Sequence, residues 1–284
     1  MDCLVVGHMT HDIILRGSKK IERAGGGAYY SALALSKFCN VLVLTKVGKS
    51  FPISWLEELE ARGVSVIIIP SEKSTVYKLH YTSENGRTLE LLSRADPFYP
   101  EELPKEKFDM VLLNPVANEI PLDALNSFKD KYLAIDVQGF IREIKNMRVR
   151  LKNIDASFLK PANIIHADVN EFQRLKNMNP KEFEVLLISN GPESGIAYHR
   201  GDKYIYKPLK KKIKESTGAG DVFLAVFSYL YKKYSFIQAL KMTNTFTATF
   251  LEKRDFNFSL DEVAEKSKFI EVKRINDEEG EPHG

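Results

Sequence analysis

Ser216-Thr217-Gly218-Ala219-Gly220-Asp221, followed at once by Val222-Phe223-Leu224-Ala225-Val226-Phe227, is the stretch on which the reading of the whole chain turns. The apolar run predicts a largely buried helix. A Gly-Ala-Gly turn leading into a helix leaves the first N–H groups unpaired and pointing outward, an anion site that the helix dipole reinforces. Small residues let a phosphate approach the backbone where a β-carbon would block it. Asp221 is the odd member, because a carboxylate repels a phosphate. It reads either as a helix cap or as a general base facing a hydroxyl that attacks the phosphate.

Outward from this turn, short apolar runs at 3–7, 41–45, 64–69, 110–114, 133–137, 164–166 and 185–189 suit buried parallel strands. Helical patterns at 28–38, 53–62, 122–129 and 170–175 separate them, and 219–234, 236–250 and 260–269 end the chain helically. Such alternation predicts an α/β sheet with helices on both faces. Segments 13–23 and 75–92 instead alternate polar and apolar residues, the second around a hairpin turn at Glu84-Asn85-Gly86. They predict a small antiparallel sheet serving as a lid, which would keep water out of a phosphoryl transfer. A further hairpin is expected over 196–206, turning at Arg200-Gly201-Asp202.

Composition narrows the function classes. The 284 residues are 44% hydrophobic and carry a net charge of +3, which argues against a dedicated nucleic-acid binder. Lys210-Lys211-Lys212 is the one dense basic run and reads as a solvated loop. Two cysteines, Cys3 and Cys39, make no disulfide framework, so a reduced, cytoplasmic setting is expected. No apolar stretch is long enough for a bilayer and the chain opens directly on a strand pattern, so neither a membrane partner nor a signal peptide is expected. Residues 1–275 read as one domain with lid segments at about 13–24 and 72–93, and 276–284 as a flexible acidic tail.

Four further places carry chemistry. Gly25-Gly26-Gly27 opens the helix at 28, so a ligand can touch its N-terminal backbone; a flexible turn is the plainer reading. It is not a dinucleotide fingerprint, whose third glycine would fall on Tyr30, and no G-x-x-x-x-G-K-[ST] loop exists. Asp12 follows the first strand, where ligands collect in α/β sheets, and its carboxylate can accept from two hydroxyls of a polyol. A metal site from His8, His11 and Asp12 is the rival, without a partner cluster elsewhere. Asp168 and Glu171 are hard oxygen ligands of the kind magnesium prefers, or else a favourably charged helix start. Gln138 and Arg142, after the strand at 133–137, offer several donors to vicinal hydroxyls, and Arg142 could also stabilise transferring charge.

Thr217-Gly218-Ala219-Gly220-Asp221 resembles the Asp-Thr-x-Gly-Ala-Gly-Asp signature of the ribokinase-like (PfkB) sugar kinases, with Glu215 where that family has its leading Asp. The resemblance runs from Cys3 to about Lys273. It implies a three-layer α/β sandwich with a central, mostly parallel sheet and a small β-sheet lid, ATP as phosphoryl donor and Mg2+ as metal. It makes the Gly218, Ala219 and Gly220 amides the anion hole and Asp221 the base. Gly25, Gly26 and Gly27 would contact the acceptor, with Tyr30 replacing a family Asn, and Asp12 would bind its hydroxyls. Asp168 and Glu171 match a magnesium-organising Asn-x-x-Glu, while Ser189, Gly191, Glu193, Thr217 and Asn244 fall on the nucleotide side. Together with Gln138 and Arg142 the pattern is most similar to the archaeal myo-inositol kinase branch. That implies a kinase of a small polyol, most simply myo-inositol, acting as monomer or homodimer. Another sugar or a nucleoside as acceptor, or a non-catalytic ligand sensor, are the alternatives.

Overall fold

Successive residues of each apolar run point to opposite faces of a sheet, and both faces are largely buried except at the run 64–69, which is not the buried strand expected but an edge strand with Ile67 and Ile68 exposed. The computed structural model describes residues 1–81, 87–209, 211, 213 and 215–275. Ten strands form the larger sheet, in the order Val272–Ile275, Asp202–Tyr206, Gly195–His199, Val185–Ser189, Ile164–Asp168, Leu133–Asp136, Met110–Leu113, Asp2–Val6, Asn40–Val47 and Val64–Pro70. From Val185–Ser189 to Val64–Pro70 every pairing is parallel, as the continuous Val/Ile/Leu runs predicted. Cys3, Val5, Val43, Leu112 and Leu187 face one layer; Leu4, Val6, Leu113, Ile135 and Leu186 face the other.

The first layer holds helices α1 (Gly27–Leu35) and α2 (Ile53–Glu60), and the C-terminal α4 (Ala219–Tyr231), α5 (Phe236–Lys253) and α6 (Leu260–Ser267). Helix α3 is the single turn Val169–Phe172. Every residue of α1 is buried, and so are residues 221–228 of α4. Burying each Leu or Phe of these helices contributes roughly 1.5–3 kcal/mol, which anchors both helix N-termini, and hence both glycine turns, to the sheet.

The smaller sheet has six strands in the order Arg142–Lys145, Arg148–Leu151, Arg87–Ser93, Thr75–Tyr81, Thr10–Arg16 and Lys19–Gly25. It is not purely antiparallel as expected, because Thr10–Arg16 and Thr75–Tyr81 pair in parallel. The reason is inherited. Each of these strands follows, after a short link, a strand of the parallel larger sheet, so both leave it in the same direction. Ile14, Tyr77, Leu79 and Leu91 pack on Val116 and Ala117, in the loop after Met110–Leu113.

The hairpin Arg142–Leu151 was not foreseen. Asn146 and Met147 both adopt positive φ (50° and 62°), a turn normally announced by glycine. Segment 122–129 is a 3-10 helix, Leu122–Phe128, and 170–175 is shorter than expected, with Leu175–Lys176 pairing with Ile154–Asp155. The turn at Glu84-Asn85-Gly86, Lys210 and Lys212 of the basic run, and the tail 276–284 lie outside the described residues. Cys3 and Cys39 carry free thiols, 2.9 Å apart. Among the described residues no helix is long and apolar enough to cross a membrane.

Candidate active site

Gly218 caps α4 in the left-handed region (φ 83°), and a β-carbon there would lie 2.6 Å from the buried ring of Tyr30. No other residue satisfies both constraints without strain. Among the described residues no backbone acceptor is seated on the N–H groups of Gly218, Gly220 or Asp221. Ala219 departs from expectation: its N–H is given to the Ser216 carbonyl (3.1 Å), so it closes the turn instead of joining the hole.

Asp221 stands in the first turn of α4, with its carboxylate lining a cavity. Burial, then the negative charge of Asp136, lifts its pKa to about 7, against the opposing pull of His166, a hydrogen bond from Asn114 and the charge of Arg142. Its side chain is not the N-cap, which is Gly218. Asn114 also donates to Ser31 Oγ (2.9 Å), and Ser31 donates to the Asp221 carbonyl (3.2 Å), tying α1 to α4 at this point. Sequence reading missed both residues. The available signal was a polar residue closing the apolar run Met110–Leu113.

The cavity measures about 260 Å3 and brings together Asp12, Gly26, Gly27, Tyr30, Gln138, Arg142 and Asp221 as expected, with Asp136, His166, Leu79 and Leu89 in addition. Asp12 sits on the smaller sheet, one strand further along than expected, and accepts from Thr10 Oγ1 (2.6 Å). Gly25 lines the site indirectly: a β-carbon there would fall 2.1 Å from Asp12 Oδ2, so its absence is what lets the carboxylate lie where it does. Arg142 is less free than expected. Its guanidinium donates to the Val116 carbonyl (2.8 Å) and to Gln138 Oε1, so it braces the wall and leaves fewer donors for a ligand.

The rival metal site dissolves. His8 is buried between Thr75 Oγ1 (2.8 Å) and the Asp96 carbonyl (3.0 Å), and His11 pairs with Glu22 (2.7 Å). Asp168 and Glu171 form a capping box on α3: Asp168 Oδ1 accepts from the N–H groups of Asn170 (2.7 Å) and Glu171 (2.9 Å), and Glu171 Oε2 from that of Asp168 (2.8 Å). Burial, then the charges of Asp136 and Asp168, raises the Glu171 pKa to about 8. Among the described residues no cluster of three or more His, Cys, Asp or Glu side chains is arranged around a metal. The box engages one oxygen of each carboxylate, so the pair fits a magnesium ion that takes the rest of its shell from water and phosphate.

Ser189 and Gly191 line both this cavity and a neighbouring cleft of about 1320 Å3, where Glu193, Asn244, Tyr206, Leu209, Phe223 and Leu251 also lie. Asn244 is expected to present its amide there, but accepts from the Leu209 N–H (2.9 Å) and donates to the Lys207 carbonyl (3.4 Å), pinning one wall. Glu215 is partly buried among arginines: it pairs with Arg23 and Arg16 of the smaller sheet and with Arg254 after α5 (3.7 Å). Arg254 donates to the Thr217 carbonyl (2.9 Å), and Tyr81 meets Thr217 Oγ1 (3.1 Å). The smaller sheet is thus latched onto the signature turn by residues that no motif announced.

No family model matches the chain. A solved pyrophosphate-dependent myo-inositol-1 kinase, converted into a myo-inositol-3 kinase by exchanging an asparagine and a serine for leucines, superposes with a TM-score of 0.80 at 22% identity, over 94% of this chain and 98% of that one. The chain has the ribokinase-like (PfkB) carbohydrate-kinase fold. Among curated proteins similar in sequence, the inositol 3-kinase of Arabidopsis thaliana is 26% identical over 239 residues, 78% of this chain and 65% of that protein. The cytidine kinase of Thermococcus kodakarensis is 23% identical over 256 residues, 82% and 89% of the two. The chain spans 62–66% of the length of the plant inositol 3-kinases it matches. In this chain the signature turn shares its cavity with Asp136, Asp168 and Ser189, the last residues of three parallel strands, and Tyr81 of the smaller sheet reaches Thr217.

Proposed function

We propose that this protein is a kinase that transfers the γ-phosphoryl group of ATP to a hydroxyl of myo-inositol. One observation carries the reading: a buried carboxylate held near neutral pKa, Asp221, at the mouth of backbone N–H groups that have no backbone acceptor among the described residues. A base poised near working pH takes the proton of the acceptor hydroxyl as the oxygen attacks, and the N–H groups of Gly218 and Gly220 receive the charge on the transferring group. Asp12 and Gln138 hold other hydroxyls of the ring, and Arg142 fixes Gln138. A magnesium ion held from the Asp168–Glu171 side would neutralise phosphate charge.

The size of the two spaces supports the assignment of roles. The small cavity suits a compact polyol, and the larger cleft, walled by Tyr206, Phe223, Leu209 and Leu251, suits a nucleoside. Pyrophosphate as donor is the second reading, favoured by the likeness to a pyrophosphate-dependent enzyme. Equal initial rates with both donors, or faster rates with pyrophosphate, would establish it. Against ATP, a panel of myo-inositol, other polyols, ketoses and nucleosides should show kcat/KM for myo-inositol at least tenfold above the rest; a nucleoside ranking first would overturn the acceptor.

The 3-position is the hydroxyl we propose, because a similar myo-inositol-1 kinase became a myo-inositol-3 kinase when an asparagine and a serine were exchanged for leucines, and this chain has a leucine pair at its acceptor cavity. Leu79 and Leu89 face each other across Thr75–Tyr81 and Arg87–Ser93 and both line the acceptor cavity. They form an apolar wall with nothing to offer a hydroxyl, so the ring must turn its polar edge towards Asp12 and Gln138. Leu79→Asn with Leu89→Ser gives that wall hydrogen-bonding groups, and should redirect phosphate to another position, read by NMR of the product. A double variant making the same isomer as the parent would remove the leucines from the specificity account.

A further inference from the structure

His166 ends in the middle of the site and belongs to none of the motifs. It is buried in the strand Ile164–Asp168, with Nδ1 2.7 Å from Asp136 Oδ2 and Nε2 3.1 Å from Ser189 Oγ. Asp136 Oδ1 meanwhile accepts from the Gln138 N–H (2.8 Å). The imidazole edge also lies directly under the signature turn, where a β-carbon on Gly220 would approach its Cε1 to 2.9 Å. Three adjacent strands thus deliver an unbroken chain, Gln138–Asp136–His166–Ser189, from the acceptor cavity to the residue shared with the donor cleft.

We infer that His166 is a positioning residue that orients the Ser189 hydroxyl towards the donor's phosphate. Asp136 fixes the imidazole with Nδ1–H towards its carboxylate. For Ser189 to reach a phosphate, Nε2–H must donate to its Oγ; the hydroxyl then loses its free rotation and keeps one direction, its own O–H, for a phosphate oxygen. The remaining direction points into the space that lines both pockets, where the phosphates of a nucleotide must pass to reach Asp221. A serine alone could rotate away; a serine held by a buried, carboxylate-anchored ring cannot. This inference rests on the kinase reading for its chemistry, but its test does not require turnover.

The test is a double-mutant cycle on ATP affinity, measured calorimetrically with the full chain. Ser189→Ala and His166→Ala should each weaken ATP about tenfold, the size of one hydrogen bond to a charged group. The double variant should be no weaker than either single one, because both remove the same contact. His166→Gln, whose amide can still reach Ser189, should recover affinity to within about threefold of the parent. Affinity for myo-inositol should change less than threefold with Ser189→Ala. Additive losses, or Ser189→Ala binding ATP as the parent does, would overturn the relay. Should the parent bind ATP and transfer no phosphate, the kinase reading falls while the cycle still decides the role of His166.

Discussion

Asp221→Asn should lower kcat by about a thousandfold, within the usual range for losing a general base, while the ATP dissociation constant stays within about threefold of the parent. Asn keeps the shape and the contact with Asn114 but cannot take the proton of the attacking hydroxyl. The pH dependence follows from the raised pKa. Only the ionised carboxylate is a base, so kcat/KM for the acceptor should rise with pH through about 7 and level off above it. Stability moves the opposite way. The folded chain holds the Asp221 proton more tightly than the unfolded chain, so this group's ionisation weakens the fold progressively between about pH 4 and 7. By that linkage the Asn variant gains up to roughly 4 kcal/mol above pH 7, and the gain fades as pH falls towards 4. A variant that is slower and yet melts higher at pH 8 identifies a site residue. A slower variant that melts lower would instead point to a structural carboxylate.

Gly218→Ala should be nearly as damaging to turnover, and it should destabilise. The left-handed conformation costs an L-residue about 1–2 kcal/mol, and overpacking against the buried Tyr30 ring adds about 1–3 kcal/mol. Tyr30 has little room to yield, since it packs edge-on against Phe250 with ring centroids 6.1 Å apart. Relief is therefore expected to come from the turn, which swings the N–H of Gly220 away from the phosphoryl group and lowers kcat at least a hundredfold. Urea titration and steady-state kinetics measure the two effects separately. The pairing with Tyr30→Ala is informative: that change removes the clash, so the double variant should recover part of the stability but little of the rate. Full stability in Gly218→Ala alone would mean that the turn is not held as described.

Why the larger sheet could be read from sequence and the smaller one only in part has a physical basis. Strands buried on both faces announce themselves as runs such as Leu4-Val5-Val6 or Leu186-Leu187-Ile188, with no need of context. Strands of the smaller sheet betrayed themselves by alternation at 13–23 and 75–92, but the pair at 142–151 turns on Asn146-Met147, which carries no glycine signal. The parallel pairing inside the smaller sheet depends on where the strands come from, which alternation does not encode. In the site, Gly218, Gly220, Asp221, Asp12 and Gln138 were legible because turn geometry and charge placement constrain residue type locally. His166, Asn114 and Ser31 were not, since each acts through partners 23 or more residues away. Arg142 and Asn244 were found but given too free a role: both spend their polar groups on the protein itself.

The latch of Glu215 explains why an acidic residue other than Asp is accommodated ahead of Thr217. The longer side chain reaches Arg23 and Arg16 on the smaller sheet and Arg254 in the body, joining the two sheets across the mouth of the site. Arg23 and Arg254, against the cost of burial, hold its carboxyl below the usual range, so the latch stays charged through neutral pH.

The most direct test of the account is a single reaction followed by 31P NMR and mass spectrometry: the full chain, ATP, magnesium and myo-inositol. The expected result is one inositol monophosphate appearing in equal amount with ADP, and about a thousandfold more slowly with Asp221→Asn. ADP with inorganic phosphate and no inositol phosphate, or no consumption of ATP at all, would contradict it.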